Sequence, residues 1–383
     1  MTVTSPQGFR AAGVAAGLKT TGNPDVALVV NDGPDDAAAA VFTTNRFPAA
    51  PVQWSRQVLS SGRLKAVVLN SGGANACTGP EGFGDTHATA EHVAAELGIG
   101  AIDVAVASTG LIGVRLPMDK LLPGVTDAVA ELSEDGGAAA ARAIMTTDTV
   151  PKTTVQHGDG WTVGGMAKGA GMLAPSLATM LVVLTTDAVV PADVLQRALE
   201  TATGVSVERV DSDGCLSTND TVVAMANGAS GVTPTEEEVT AALTAAATDL
   251  AMQLLADAEG STKDIAITVR NAASVPDALT AGRACARNNL LKTALFGNDP
   301  NWGRVLAAIG TTDAAFEPGR VDVAINGVTV CRGGSIGDPR EGVDLSGRQI
   351  TIDVDLGAGG EQATIWTNDL SIAYVHENSA YSS

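Results

Sequence analysis

The chain has 383 residues, with 23 Lys and Arg against 43 Asp and Glu, a formal charge of −20 at pH 7. That length supports a sizeable buried core, in two domains or one large layered domain. So acidic a chain with no Lys/Arg-rich run argues against nucleic-acid binding. Aromatics are scarce, with 4 Trp, 2 Tyr and 6 Phe, so the core must be built from Val, Leu, Ile and Ala. No apolar run approaches the roughly 20 residues of a membrane span. Arg10 and the apolar run after it faintly mimic a secretory signal, but the run is short, Gly-rich and closed by Lys19. Cys77, Cys215, Cys285 and Cys331 lie far apart without a CxxC, and the four histidines lack metal-site spacing, so neither a disulfide scaffold nor a metal site is expected. These features together predict a cytoplasmic protein.

In chain order, short β-type runs alternate with helical ones. Residues 64–69 and 103–108 read as strands, with a helix near 86–97 that Asp85 could cap and Gly98 could end. Residues 118–132 and 138–145 look helical, and 161–166 and 180–185 look like strands. Then follow a helix at 191–203, a strand at 221–226 and, at Thr235-x-x-Glu238, a capping box that opens a long Ala/Leu helix toward Ala258. A strand at 264–269 and helices at 276–295 and 304–309 precede a β-rich end. There, Asn326-Gly327 reads as a type I′ turn, and 349–355 and 362–366 as further strands. The expected class is α/β (α+β), with layered mixed sheets covered by helices.

Four segments could carry chemistry. The run 164–181 holds glycines that permit positive φ, one Lys and a helix-stopping Pro, followed by Thr179 at the mouth of an apolar strand. It lacks the Walker and GxGxxG spacings of nucleotide cradles. The bland reading is a Gly-rich turn into a buried strand. The sharper one makes Thr179 a nucleophile, which needs a nearby base. Cutting the Ala178–Thr179 bond would supply one, because an α-amine titrates near ~7.7–8.0. The strained approach would let the Thr oxygen attack the Ala178 carbonyl and exchange the peptide for an ester that water opens.

The second segment, Thr109-Gly110 after the 103–108 strand, is either an ordinary turn or material for an oxyanion hole. The third, 145–152, is rich in hydroxyls. In the fourth, Glu259 follows the long helix at its negative end, an unfavourable place for an acid without a purpose. Residues 211–220 and 296–304 read as Asx-rich loops that satisfy themselves, and the polar end of the chain as a tail.

Taken jointly, these runs appear in one order. They comprise Gly8 to Gly13, Asn70 to Gly79, STGLIG from Ser108, MTTDTVPK from Met145, KGAGMLAPSLATML from Lys168, STNDTV from Ser217, EGSTK from Glu259, GNDPNWGR from Gly297, and the tail with Asn378 and Ser383. The whole resembles the ornithine acetyltransferase (glutamate N-acetyltransferase, ArgJ) family of arginine biosynthesis. The resemblance implies a fold of the self-cleaving N-terminal-nucleophile type. It implies a precursor cut between Ala178 and Thr179 into an α chain, 1–178, and a β chain, 179–383, assembled as an α2β2 heterotetramer. It implies Thr179 as nucleophile, Thr109 and Gly110 as oxyanion hole, and substrate contacts from Thr146, Lys168, Thr179, Glu259, Asn378 and Ser383. Acetyl would pass from N2-acetylornithine to glutamate by way of acetyl-Thr179, without a cofactor; whether acetyl-CoA also serves as donor stays open. Mild departures fall at Gly73, Ala170 and Gly214-Cys215, off these positions. Two competitors remain: a self-processing amidohydrolase that passes the acyl group to water, and a non-enzymatic binding protein that stays uncut.

Overall fold

The computed structural model describes residues 2–174 and 180–380. The chain opens with three short strands, β1 (Phe9–Val14), β2 (Val26–Asn31) and β3 (Ala37–Phe42). Helix α1 (Ala50–Leu59) leads to β4 (Ala66–Asn70), and α2 (Gly79–Leu97) crosses over to β5 (Val104–Ser108). These strands form a sheet in the order β1-β2-β4-β5, with β4 and β5 parallel. Every residue of β2, β4 and β5 is buried, which is why they read as continuous Val/Ala/Leu runs instead of alternating ones. Helix α2 ends at Gly98 in the left-handed conformation, as expected, but begins well before residue 86, where Pro80 suits a first turn. Asp85 is therefore no cap. It is buried within α2 and holds Arg115 through contacts of 2.7 and 2.9 Å.

Helices α3 (Met118–Ala130) and α4 (Gly137–Ala143) pack on this sheet before the chain enters β6 (Lys152–His157) and β7 (Thr162–Lys168). Beyond Thr179 come β8 (Leu181–Thr186), α5 (Ala192–Val205), β9 (Thr221–Ala226) and α6 (Glu236–Ala256). A second sheet has the order β3-β9-β8-β7-β6, so it draws strands from both sides of Thr179. Period-2 alternation sorts its side chains into two cores. Leu181, Val183, Val223 and Met225 join the core of the first sheet, while Val182, Leu184, Val222 and Ala224 pack with α5 and α6. By length and composition α6 could cross a bilayer; here its Leu243, Leu250 and Leu254 face lies in that second core.

The remainder forms a third sheet with a core of its own. Its elements are β10 (Asp264–Ala272), α7 (Val275–Ala286), α8 (Asn289–Phe296), α9 (Trp302–Ile309), β11 (Asp322–Ile325), β12 (Val328–Arg332), β13 (Ser335–Ile336), β14 (Gln349–Asp355) and β15 (Glu361–Asn368). The strand order is β13-β12-β11-β14-β10-β15. The helix expected over 276–295 is two, because Asn288 leaves the helical path and caps α8 by accepting from the Leu291 N–H. The tail forms α10 (Ile372–Ala380), a helix with no buried residue.

Candidate functional site

The two internal sheets end at one place. In the second, Lys168 at the end of β7 is in register with Leu181 of β8, which in turn faces Thr221 of β9. In the first, the parallel strands β4 and β5 end together at Asn70 and Ser108. Carboxyl ends of parallel strands are where a fold exposes backbone and loops to a ligand. The Thr109 N–H is committed to the Asn70 carbonyl at 3.0 Å, so the group that Thr109 can offer is its hydroxyl. Lys168 Nζ donates to that hydroxyl oxygen at 3.3 Å, which makes the O–H a better donor in a buried setting. Gly110 follows with φ +133°, and a Cβ there would lie 2.8 Å from the Gly73 nitrogen. Only glycine fits. Among the described residues the Gly110 N–H makes no hydrogen bond, leaving it and the Thr109 hydroxyl as paired donors. A small cleft here is lined by Thr109, Gly110, Met172, Ser217, Thr218 and Asn219. A surface cavity of about 430 Å³ beside Arg46, Phe47 and Cys77 lies at the start of α2 and contains none of these groups.

Behind Lys168 sits a buried charge network. Asp148 Oδ1 accepts from Lys152 Nζ and the Gly169 N–H, both at 2.7 Å, and Oδ2 accepts from the Thr146 N–H at 3.0 Å. Lys152 also donates to Asp257 Oδ2 at 2.6 Å, and Asp257 takes the N–H and hydroxyl of Thr149. Burial by itself pushes the Asp148 carboxyl up; Lys168, Lys152 and the Gly169 N–H outweigh it and bring it down to about 2. Lys168 is lowered by burial, against the opposing pull of Asp148, and Glu259 acts in the same direction as Asp148. Thr146 is half-buried on this network, its preceding carbonyl pinned by Lys19 Nζ at 2.7 Å.

Glu259 arrives from the end of α6. Its N–H donates to the Ala170 carbonyl at 2.9 Å, and its carboxylate packs so closely on Gly171 that a Cβ there would stand 2.7 Å from Oε2. The Gly-rich run is thus a surface on which an acid and a Lys converge. Thr109, Gly110, Thr146, Lys168 and Glu259 come together around residues 168–171. Asn378 lies apart on exposed α10, its amide donating to the Tyr374 carbonyl one turn back at 3.0 Å. The start of α10 is tied to the Glu259 loop by Ser371, whose hydroxyl donates to the Gly260 carbonyl at 2.5 Å. Ala178, Thr179 and Ser383 lie outside the described residues. The sequence reading missed Asp148, Lys152 and Asp257 as a unit. Its available signal was a Lys four residues after an Asp in a hydroxyl-rich run, which says nothing about Asp257.

A family model described as the ArgJ family matches residues 10–383. Among curated proteins, the arginine biosynthesis bifunctional protein ArgJ of Streptomyces avermitilis is 66% identical over 383 residues, covering 100% of both chains. The protein of that name from Mycobacterium tuberculosis is 60% identical over 391 residues, covering 100% of this chain and 96% of its own. Among solved structures, ornithine acetyltransferase from Mycobacterium tuberculosis in complex with ornithine is 67% identical over 45% of this chain and 94% of its own, with a TM-score of 0.45.

Proposed function

The chain belongs to the ArgJ family, acyltransferases of arginine biosynthesis, and from that premise we propose that it carries acetyl from N2-acetylornithine to glutamate on Thr179. The precursor cuts itself between Ala178 and Thr179, freeing an α-amine. Thr179 Oγ attacks the amide carbonyl while this amine takes its proton. Thr109 hydroxyl and Gly110 N–H stabilise the oxyanion, the carbon–nitrogen bond breaks, and ornithine leaves with the proton. The α-amine of glutamate attacks the ester, returns Thr179, and departs as N-acetylglutamate. The observation that carries this reading is the pair of donors at Thr109 and Gly110, with Lys168 on the hydroxyl and Met180, the residue after Thr179, leading into β8.

Lys168 suits the α-carboxylate common to both amino acids, and Glu259 an ammonium group. As the resemblance implies, Asn378, Ser383 and Thr146 are further substrate contacts in this reading. Acetyl-CoA is proposed to load the same threonine as a second donor, in keeping with the word bifunctional in the relatives' names. The cut chains assemble as α2β2 in the cytoplasm, where free thiols such as the four cysteines persist.

A denaturing gel tests the cut: pieces of 178 and 205 residues support it, and a single 383-residue band refutes it. Incubation with acetylornithine tests the transfer. Little ornithine should form until glutamate is added, whereas equal release without glutamate would make the protein an amidohydrolase. Coenzyme A release from acetyl-CoA plus glutamate tests the second donor. Glu259→Gln should weaken the ornithine side of the reaction; unchanged ornithine-side kinetics would remove Glu259 from that role.

A further inference from the structure

Residues 217–220 read in the sequence only as part of a polar loop that satisfies itself, yet Ser217, Thr218 and Asn219 line the cleft at the Thr109 and Gly110 donors. Asn219 is buried, and its amide donates to the Ser108 carbonyl at 2.8 Å and the Ala74 carbonyl at 2.6 Å. The Thr218 hydroxyl donates to Asn219 Oδ1 at 2.6 Å, which fixes the orientation of the amide. The Ser108 carbonyl belongs to the peptide unit that enters Thr109. Ala74 lies in the loop that runs beside residues 109–113, linked to it by the Ala74 N–H to the Leu111 carbonyl at 3.0 Å. The next residue, Asp220, is buried too, and its Oδ1 accepts from the Met180 N–H at 3.1 Å. The Thr221 N–H donates to the Met180 carbonyl at 3.0 Å, so both backbone polar groups of the residue after Thr179 are held from one tripeptide.

We propose that Asn219 and Asp220 are positioning residues that set the separation between the oxyanion donors and the nucleophile. Asn219 grips the strand end that presents Thr109 and Gly110, and Asp220 grips the amide directly after Thr179. Because the two are consecutive, one peptide unit links the two grips, with about 3.8 Å between their Cα atoms. After the proposed cut the same dipeptide joins the two pieces at the reacting centre, since Ser108 and Ala74 lie in 1–178 and the grip lies in 179–383. Burial pushes the Asp220 carboxyl well above its usual value of 3.8, against the pull of the Met180 N–H. The inference rests on Thr179 being the nucleophile.

The test is single-turnover acetylation of the cleaved enzyme by acetylornithine, followed by mass spectrometry of the 179–383 piece. Misplacement by about 1 Å costs on the order of 100-fold in rate. Asn219→Ala and Asp220→Ala should slow both self-cleavage and acetylation about 100-fold, with KM within about twofold. Asp220→Asn, which keeps an acceptor for the Met180 N–H, should recover to within about tenfold. Val305→Ala, a cavity variant in the third core, should lose stability and keep the acetylation rate. If an alanine variant does not fold, isosteric Asn219→Asp, which loses both donors, carries the same expectation. Acetylation at the wild-type rate in the Asn219 and Asp220 variants overturns the inference and leaves Thr179 in place. Failure of wild-type protein to acetylate at Thr179 overturns both.

Discussion

On the proposed reading, Thr109 shows how little a single side chain needs in order to matter at this site. Its N–H is spent on Asn70, its hydroxyl oxygen takes a bond from Lys168, and the remaining hydroxyl proton is the part that can meet a developing negative charge. Removing one such donor from a water-excluded site costs about 3–4 kcal/mol of transition-state stabilisation. Thr109→Val should therefore lower kcat by 10² to 10³ (about 3–4 kcal/mol by the same rule), with KM little changed; steady-state transfer assays check it. Asp148 acts on stability. Its carboxyl is held at about 2 against an ordinary 3.8, so the folded state favours the ionised form. That contribution, about 2 kcal/mol, is fully present above pH ~4 and is lost as pH falls through ~2. Asp148→Asn also removes one of the two carboxylates on Lys152 and one counter-charge near Lys168, and disrupting such a buried pair costs up to about 3–5 kcal/mol. Urea unfolding should find the variant less stable by that order at pH 7, with the difference shrinking as pH approaches 2.

At the scale of the element, local signals worked where the local chain is in control. The Thr235/Glu238 box forms as read, with the Glu238 N–H donating to the Thr235 hydroxyl at 3.3 Å and the Thr235 N–H to Glu238 Oε2 at 2.8 Å. Thr235→Ala should cost about 1 kcal/mol in urea unfolding. It should leave transfer untouched, because α6 puts roughly 30 Å between its cap and the Glu259 end. The start of α2 was misread because an Asp before an apolar stretch looks like a cap, whereas Asp85 is held inside the helix by Arg115 from another segment. The join between α7 and α8 was missed because Asn288 is a tolerable residue within a helix and a good one at its start. β1 and β3 escaped notice for another reason. FRAAGV and AAAAVF have weak strand propensity, and pairing with β2 and β9 is what holds them extended.

On the scale of the whole molecule, the second sheet ties the proposed pieces together. β3, β6 and β7 come from 1–178, and β8 and β9 from 179–383, with antiparallel pairing of β7 to β8 and of β3 to β9 across the division. Each cut piece alone would expose unpaired strand edges and part of two shared cores. The pieces should hence co-elute on gel filtration in native buffer and separate only in denaturant. Recovery of a free, folded 1–178 piece in native buffer would contradict the shared sheet.

The sequence alone determined the layered α/β class, the family, and the residues that advertise themselves by type: a Thr after Gly-rich chain, a Thr-Gly at a strand end, a lone Lys, an acid past a helix. These signals are local, and chain order preserves them. The tertiary structure decided which of them meet. Lys168 reaches Thr109 and Asn219 grips Ser108 across spans of chain whose closure depends on two sheets packing together, and Asp257 reaches Lys152 because α6 packs on the second sheet. No local pattern encodes such a pairing, because its free energy comes from burying the strands that carry the partners and not from the partners themselves.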